Sequence, residues 1–172
     1  MVCTNIPASL LDWLLDPASL TRRLQQVCGE FRVQVLNQAW ARPLHDETHA
    51  LSLRNGAQVF VREVLLLCDG QPRVFARTVI PRQTLSGKYR RLTRLGNKSL
   101  GAVLFADPLM RRDKLELSAI TARHPLFERA THKLIKQPSV IWGRRSLFHL
   151  NNKPLLLSEI FLHDMRNSPP TK

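Results

Sequence analysis

Two runs of β-forming residues, Val59 to Leu67 and Arg73 to Ile80, flank the segment Cys68-Asp69-Gly70-Gln71-Pro72. An Asp-Gly step between two such runs is a strong hairpin signal, because a tight turn needs positive φ at its central positions and these residues tolerate it. The runs are expected to pair antiparallel, and the rest of the chain has to be arranged around that ribbon. Val140 to Leu150 and Pro154 to Leu162, joined by Asn151-Asn152-Lys153, read as a second hairpin. Phe31 to Ala39 and Lys114 to Ile120 are further strand candidates.

Helices are expected over Ser9 to Leu15, Pro17 to Cys28 and Pro125 to Ile135. The second carries Leu20, Leu24 and Val27 at helical spacing, with Asp16 placed to cap it. Ala41 to Ala50 collects Pro43, His45, Asp46 and Glu47 and reads as a loop. Between Pro81 and Leu104 a basic stretch follows Thr84, Ser86 and Gly87 and precedes Gly96-Asn97-Lys98-Ser99, a pattern that predicts two short helices around a turn, suited to a lid. Antiparallel hairpins with helices between and around them give an α+β fold rather than a βαβ repeat. One domain is expected over residues 1–172, with its core at about 8–162 and a frayed tail over 163–172.

The longest apolar runs, such as Val64 to Cys68, are far shorter than the roughly 20 residues of a membrane-spanning helix. Met1-Val2-Cys3-Thr4-Asn5-Ile6-Pro7 lacks the basic start of a secretory signal, so the cytoplasm is the expected compartment. Cys3, Cys28 and Cys68 form no C-x-x-C pair and are expected to be reduced packing thiols. The net charge of +13 would attract polyanions, acidic membrane surfaces or small anionic substrates alike.

Strand alternation isolates the residues of interest. Phe60, Arg62, Val64 and Leu66 share one face of their strand, and Leu155, Leu157, Glu159 and Phe161 share one face of the last. Each apolar face thus carries one charge, and an unpaired ion there costs several kcal/mol, by order of magnitude. Two explanations are open. Arg62 and Glu159 bridge each other or line a sheet edge, or they form a small anion pocket in which the arginine grips a carboxylate and the glutamate meets a hydroxyl. Arg77, between Phe75 and Val79 on the adjacent strand, is either a second positive group for a dianionic substrate or a rim arginine.

Arg82, Lys88, Arg90, Arg91, Arg94 and Lys98 form an acid-free run, read either as a phosphate-binding patch or as a solvated helix face. No recognition helix or zinc finger accompanies it, so no specific nucleic-acid partner is expected. His45 and His49 have i,i+4 spacing but lack the H-E-x-x-H order, so no metal site is expected. A P-loop, a dinucleotide fingerprint and a G-x-S-x-G elbow are absent, so phosphate transfer, hydride transfer and hydrolysis find no support.

In order along the chain, Leu10-Leu11-Asp12-Trp13-Leu14-Leu15, Val61-Arg62-Glu63-Val64-Leu65-Leu66, Ala76-Arg77-Thr78-Val79-Ile80-Pro81, Thr84-Leu85-Ser86-Gly87, Leu100-Gly101-Ala102-Val103-Leu104-Phe105, Trp142-Gly143-Arg144-Arg145-Ser146 and Lys153-Pro154-Leu155-Leu156-Leu157-Ser158-Glu159-Ile160-Phe161-Leu162 resemble the bacterial chorismate pyruvate-lyases, from about residue 8 to residue 162. The segment Ser118 to Val140 is longer than in the shortest relatives, and the tail beyond Leu162 has no clear counterpart. The resemblance implies an antiparallel sheet whose ligand is enclosed beneath two helix-turn-helix flaps. It implies a cofactor-free lyase that eliminates pyruvate from chorismate to leave 4-hydroxybenzoate, the first step of ubiquinone biosynthesis. By the same resemblance, Arg62 binds the ring carboxylate with the backbone amide of Leu100, and Glu159 hydrogen-bonds the ring hydroxyl with the backbone of Leu20 nearby. Arg62 and Glu159 are the expected catalytic pair.

A product that keeps the carboxylate and the hydroxyl should leave slowly and inhibit. A monomer is expected, with at most weak association to anionic membrane surfaces. The rival readings are a non-catalytic aromatic-acid sensor of the same fold, for which the 172 residues supply no winged-helix head, and a nucleic-acid binder driven by charge.

Overall fold

The computed structural model describes residues 5–162. Its centre is an antiparallel six-stranded sheet in the order β1-β2-β3-β6-β5-β4. The strands are β1 (Phe31–Ala41), β2 (Val59–Cys68), β3 (Gln71–Pro81), β4 (Met110–Ile120), β5 (Ile141–Leu150) and β6 (Lys153–Phe161). Both expected hairpins form, β2–β3 through Asp69 and Gly70 at φ 51° and 78°, β5–β6 through Asn151 and Asn152 at φ 50° and 64°. These residues turn with positive φ because Gly has no Cβ and Asn and Asp tolerate the left-handed region. The expectation of a fraying tail over 163–172 falls outside the described residues, as does that for Cys3.

Each face of the sheet is covered. On one face lie α1 (Ala8–Leu14), α2 (Leu20–Val27), two 3₁₀ segments (Arg82–Thr84 and Gly87–Arg94) and α4 (Leu100–Ala106). Their Leu14, Leu24, Leu92 and Leu104 pack on Val64, Val74, Phe148, Leu155 and Phe161 in the larger core. The opposite face carries α3 (His45–Ala50) and α5 (Pro125–Thr131), and there Leu126 and Ala130 meet Leu65, Phe75 and Ile160.

Three local expectations are corrected. Residues 45–50, read as loop, form α3, because the Glu47 carboxylate reaches back to accept the Leu44 backbone N–H at 2.8 Å and satisfies an otherwise orphan donor at the helix start. Ser19, not Asp16, caps α2 by accepting from the Arg22 backbone N–H. Asp16 instead accepts from the Ala18 backbone N–H and from Arg23.

The third concerns the thiols: Cys28 and Cys68, expected to be reduced, are joined in a disulfide with their Cα atoms 5.3 Å apart. Register explains it. Phe31 pairs with Cys68, so the chain leaving α2 at Cys28 arrives beside the end of β2. Asp69 strengthens the junction by accepting from the Glu30 backbone N–H at 2.7 Å. A bond closing so long a loop restricts the unfolded chain, and reduction is expected to lower unfolding free energy by on the order of 2 kcal/mol. The measurement is the urea midpoint with and without a phosphine reductant, against a Cys28→Ser, Cys68→Ser control; two additional thiols titrating in denatured, unreduced protein would show that the bond does not exist.

Candidate functional site

Register decides which charges meet. Arg62 on β2 lies opposite Thr78 on β3, Thr78 lies opposite Leu157 on β6, and Glu159 lies opposite Ala76 on β3 and Arg144 on β5. Directly opposed residues of an antiparallel pair point to the same side, so Arg62, Glu159 and Arg144 share the face covered by α1, α2 and α4. Arg62 and Glu159 sit two strands and two residues apart, which puts their Cα atoms roughly 12 Å from each other. All three line one enclosed cavity with Arg112 of β4, beneath Leu20, Thr21, Ser99, Leu100 and Gly101. Val64, Leu66, Ala76, Phe105, Phe148 and Leu157 supply its apolar walls.

Arg62 is only 2% exposed. Its Nη1 donates to Gln38 Oε1 at 3.0 Å, and its Nη2 donates to the Gly96 and Lys98 carbonyls, each at 2.9 Å. Among the described residues no carboxylate pairs with it, and burial pulls its pKa below the usual guanidinium value. Glu159, 8% exposed, accepts from Arg144 Nε at 2.6 Å. Arg144 Nη1 donates in turn to the Trp13 and Asp16 carbonyls at 3.0 and 2.7 Å. The bland alternative of an Arg62–Glu159 bridge is therefore replaced by two separate arrangements, one at each end of the cavity.

Both ends are also tied to the cover. Arg62 holds the carbonyls of the turn before α4, whereas Arg144 holds those of Trp13 at the end of α1 and Asp16 in the turn that follows it. The two helix-turn-helix layers meet where Thr21 Oγ1 and Ser99 Oγ lie 2.6 Å apart. A Cβ at Gly101 would come within 3.3 Å of Thr21 Oγ1, so any larger residue there would push on the seam between the layers. Leu20 and Leu100 each open a helix capped by a serine, Ser19 and Ser99, so the first backbone N–H groups of α2 and α4, which have no intrahelical partners, lie beside the same cavity.

Arg77 is on the other side of the sheet. It pairs with Glu63 in register and is 4% exposed, donating to Glu47 Oε1 at 2.6 Å and to Glu63 Oε1 at 2.7 Å, while Arg129 closes the network on Glu63. Burial opposes its charge, yet the two carboxylates outweigh burial and raise its pKa. The expectation that Arg77 supplies positive charge to the pocket is thus corrected. Arg144 and Arg112 occupy that place instead, and neither was singled out in the sequence.

The basic run is the outer face of the second layer. Lys88, Arg90, Arg91 and Arg94 are exposed while Tyr89 and Leu92 are buried beneath them. An open groove of about 800 Å³ with Arg32, Arg91, Arg94 and Lys98 on its walls runs outside the cavity and shares Val33 and Ser99 with it. The groove is larger, but the buried charges converge in the enclosed cavity, and chemistry belongs where charge is desolvated. The free space in that cavity is only about 30 Å³, near the size of one water and well below the roughly 150 Å³ that accepts a benzene ring, so entry of a ring requires the layers to part. His45 and His49 meet edge to face with ring centroids 4.7 Å apart on α3, and among the described residues no group of three or more His, Cys, Asp or Glu side chains is arranged to hold a metal. No helix of the described residues is long and apolar enough to cross a membrane.

The chorismate lyase family model matches residues 3–167. Among curated proteins, a probable chorismate pyruvate-lyase of Nitrosomonas europaea is 43% identical over 162 residues, covering 94% of this chain and 91% of the relative. Another from Psychromonas ingrahamii is 46% identical over 166 residues, covering 92% and 85%. Among solved structures, a GntR-family transcriptional regulator from Enterococcus faecalis superposes with a TM-score of 0.57 at 16% identity, covering 83% of this chain and 98% of that one. The effector domain of PhnF from Mycobacterium smegmatis gives 0.57 at 15% identity, covering 86% and 90%. At such identities the structural matches speak to fold alone.

Proposed function

The chain belongs to the chorismate lyase family, and from that premise we propose that it removes pyruvate from chorismate and releases 4-hydroxybenzoate, the first step of ubiquinone biosynthesis, with no cofactor. The observation that carries this reading is the pair of buried charges at opposite ends of one apolar-walled cavity, a guanidinium with no carboxylate partner among the described residues and a carboxylate. A ring acid with a para hydroxyl has the matching polarity, anion at one end and hydrogen-bond donor at the other.

Arg62 grips the ring carboxylate with help from the Leu100 backbone N–H, and the Gly96 and Lys98 carbonyls it now holds keep the guanidinium oriented. Glu159 receives the ring C4 hydroxyl on the oxygen that Arg144 does not engage, near the backbone of Leu20. Elimination breaks the C3–O ether bond and removes the hydrogen on C4; the electron pair of that C–H bond completes the aromatic ring, and the departing enolpyruvate takes up a proton to become pyruvate. Aromatisation supplies the driving force, so the protein contributes alignment, exclusion of water and fixed charge. The product keeps both recognised groups, and closure of the layers over it accounts for slow release.

The test mixes purified protein with chorismate and measures 4-hydroxybenzoate and pyruvate in equal amounts, with turnover falling as 4-hydroxybenzoate is added. Glu159→Gln is expected to reduce kcat by about tenfold or more through loss of the charge facing C4. Wild-type turnover in that variant would remove Glu159 from the chemistry. The regulator domains sharing the fold favour one alternative, a non-catalytic sensor, for which the protein would bind 4-hydroxybenzoate and leave chorismate intact.

A further inference from the structure

The enclosed cavity holds three guanidiniums, Arg62, Arg112 and Arg144, against one carboxylate, Glu159. That leaves two surplus positive charges in a low-dielectric space, an unfavourable arrangement unless the ligand brings two negative ones. 4-Hydroxybenzoate brings one. Chorismate brings two, on the ring at C1 and on the enolpyruvyl group at C3.

The three guanidiniums are not equally committed. Arg144 is buried and ion-paired to Glu159, with its Nη1 on flap carbonyls. Arg62 stands at the opposite end, where the ring carboxylate belongs. Arg112 is half-buried on the edge strand β4; its Nε donates to Ser146 Oγ at 2.9 Å and its Nη1 to the Pro17 carbonyl at 2.9 Å. Its guanidinium lies over the Phe148 ring at 5.3 Å, and among the described residues its Nη2 makes no hydrogen bond and no carboxylate lies within ion-pair distance. Burial and the charge of Arg144 both lower its pKa, with Glu159 and Asp16 acting in the other direction, as befits a cation short of an anion.

Ligand geometry says which end the second carboxylate must take. C3 and C4 are adjacent ring carbons, so when the C4 hydroxyl meets Glu159 the enolpyruvyl group on C3 projects from that same end. Ser146 lies opposite Leu157, one alternation from the Arg144–Glu159 pair, so Arg112 is anchored at the Glu159 end of the cavity. We propose that Arg112 binds the enolpyruvyl carboxylate of chorismate and thereby distinguishes substrate from product. The assignment rests on the lyase reading. Arg112 also stands where negative charge develops on the departing enolpyruvate, so it contributes to the transition state as well as to binding.

The experiment compares ligands with two carboxylates and with one. In Arg112→Gln, KM for chorismate is expected to rise about 10- to 100-fold while the calorimetric Kd of 4-hydroxybenzoate stays within about twofold, because a lost charge-assisted pair to an anion is worth roughly 1.5–3 kcal/mol. Arg112→Lys should recover part of the loss by restoring charge without the planar fork. Equal weakening of both ligands would mean that Arg112 only shapes the flap through Pro17 and would overturn the proposal, and so would unchanged chorismate KM. Circular dichroism and the 4-hydroxybenzoate titration verify that each variant is folded. A wild-type protein that does not turn over chorismate refutes the lyase reading instead; the proposal is then judged on chorismate Kd, where a wild type that does not bind chorismate, or an Arg112→Gln Kd that does not rise, overturns it.

Discussion

Arg62→Ala is expected to lower kcat/KM for chorismate by about 10²–10³-fold, equivalent to roughly 3–4 kcal/mol, and to weaken 4-hydroxybenzoate binding by a similar factor. Both ligands carry the ring carboxylate, so a residue that holds it must affect both, in contrast to Arg112. The effect should be large because the guanidinium is 2% exposed, and a charge pair formed in such a place is little screened by water or salt. Arg62 also fixes the turn at Gly96 and Lys98, so alanine removes an anchor of the cover together with the proposed anion site. Titration with 4-hydroxybenzamide separates the two. The amide lacks the charge but fills the same space, so its affinity should change little if the carboxylate grip is what alanine removes. An equal loss for amide and acid would transfer the role of Arg62 from the ligand to the flap, and unchanged affinity for the acid would eliminate it as the anchor.

The double anchoring bears on how the site opens. Arg62 and Arg144 each bond backbone carbonyls in one of the two covering turns, and the turns meet at Thr21 and Ser99. On the proposed reading, a carboxylate arriving at Arg62 meets a guanidinium that also holds the second turn, so ligand entry and flap position would be coupled through the same side chain. Such coupling would place binding energy where it can organise the closed state, and release of a ring that retains its carboxylate is then the expected slow step.

What could be read from the sequence followed strand parity and turn chemistry. Arg62 and Glu159 were recognisable as charges on apolar faces, and the Asn151-Asn152 turn leads without interruption to Arg144 opposite Glu159, so Arg144 could have been found by counting outward from that turn. Arg77 could not be placed that way. Counting outward from the Asp69-Gly70 turn in uniform register sets Arg77 opposite Arg62, on the cavity side. The observed register shifts by one between Leu66 and Leu67, because Leu67 pairs with Pro72 and Leu66 with Val74, leaving Arg73 extra. Pro72 has no N–H to give the ladder, and one inserted residue reverses every side chain beyond it, which turns Arg77 away and opposes it to Glu63. Arg112 and the Cys28–Cys68 bond depend on contacts between distant segments, which parity does not report.

On the far side of the sheet, Arg77→Met is expected to cost about 3–5 kcal/mol of stability, read as a lower urea midpoint at unchanged slope. Methionine fills much of the arginine's volume, so packing loss is minor. What remains is Glu47 at 2% and Glu63 at 4% exposure without their shared cation, and Arg129, 52% exposed at its side chain, can compensate only Glu63. Glu47 also holds the first turn of α3, so its release should loosen residues 45–50 before the rest of the fold. Adding Glu47→Gln and Glu63→Gln to Arg77→Met removes the buried charges along with their partner and should return a substantial part of the loss. The kcat of the folded fraction should stay within about twofold, because nothing in this network reaches the cavity face. A variant with the wild-type midpoint and a raised chorismate KM would show the reverse, that Arg77 serves the substrate and not the fold.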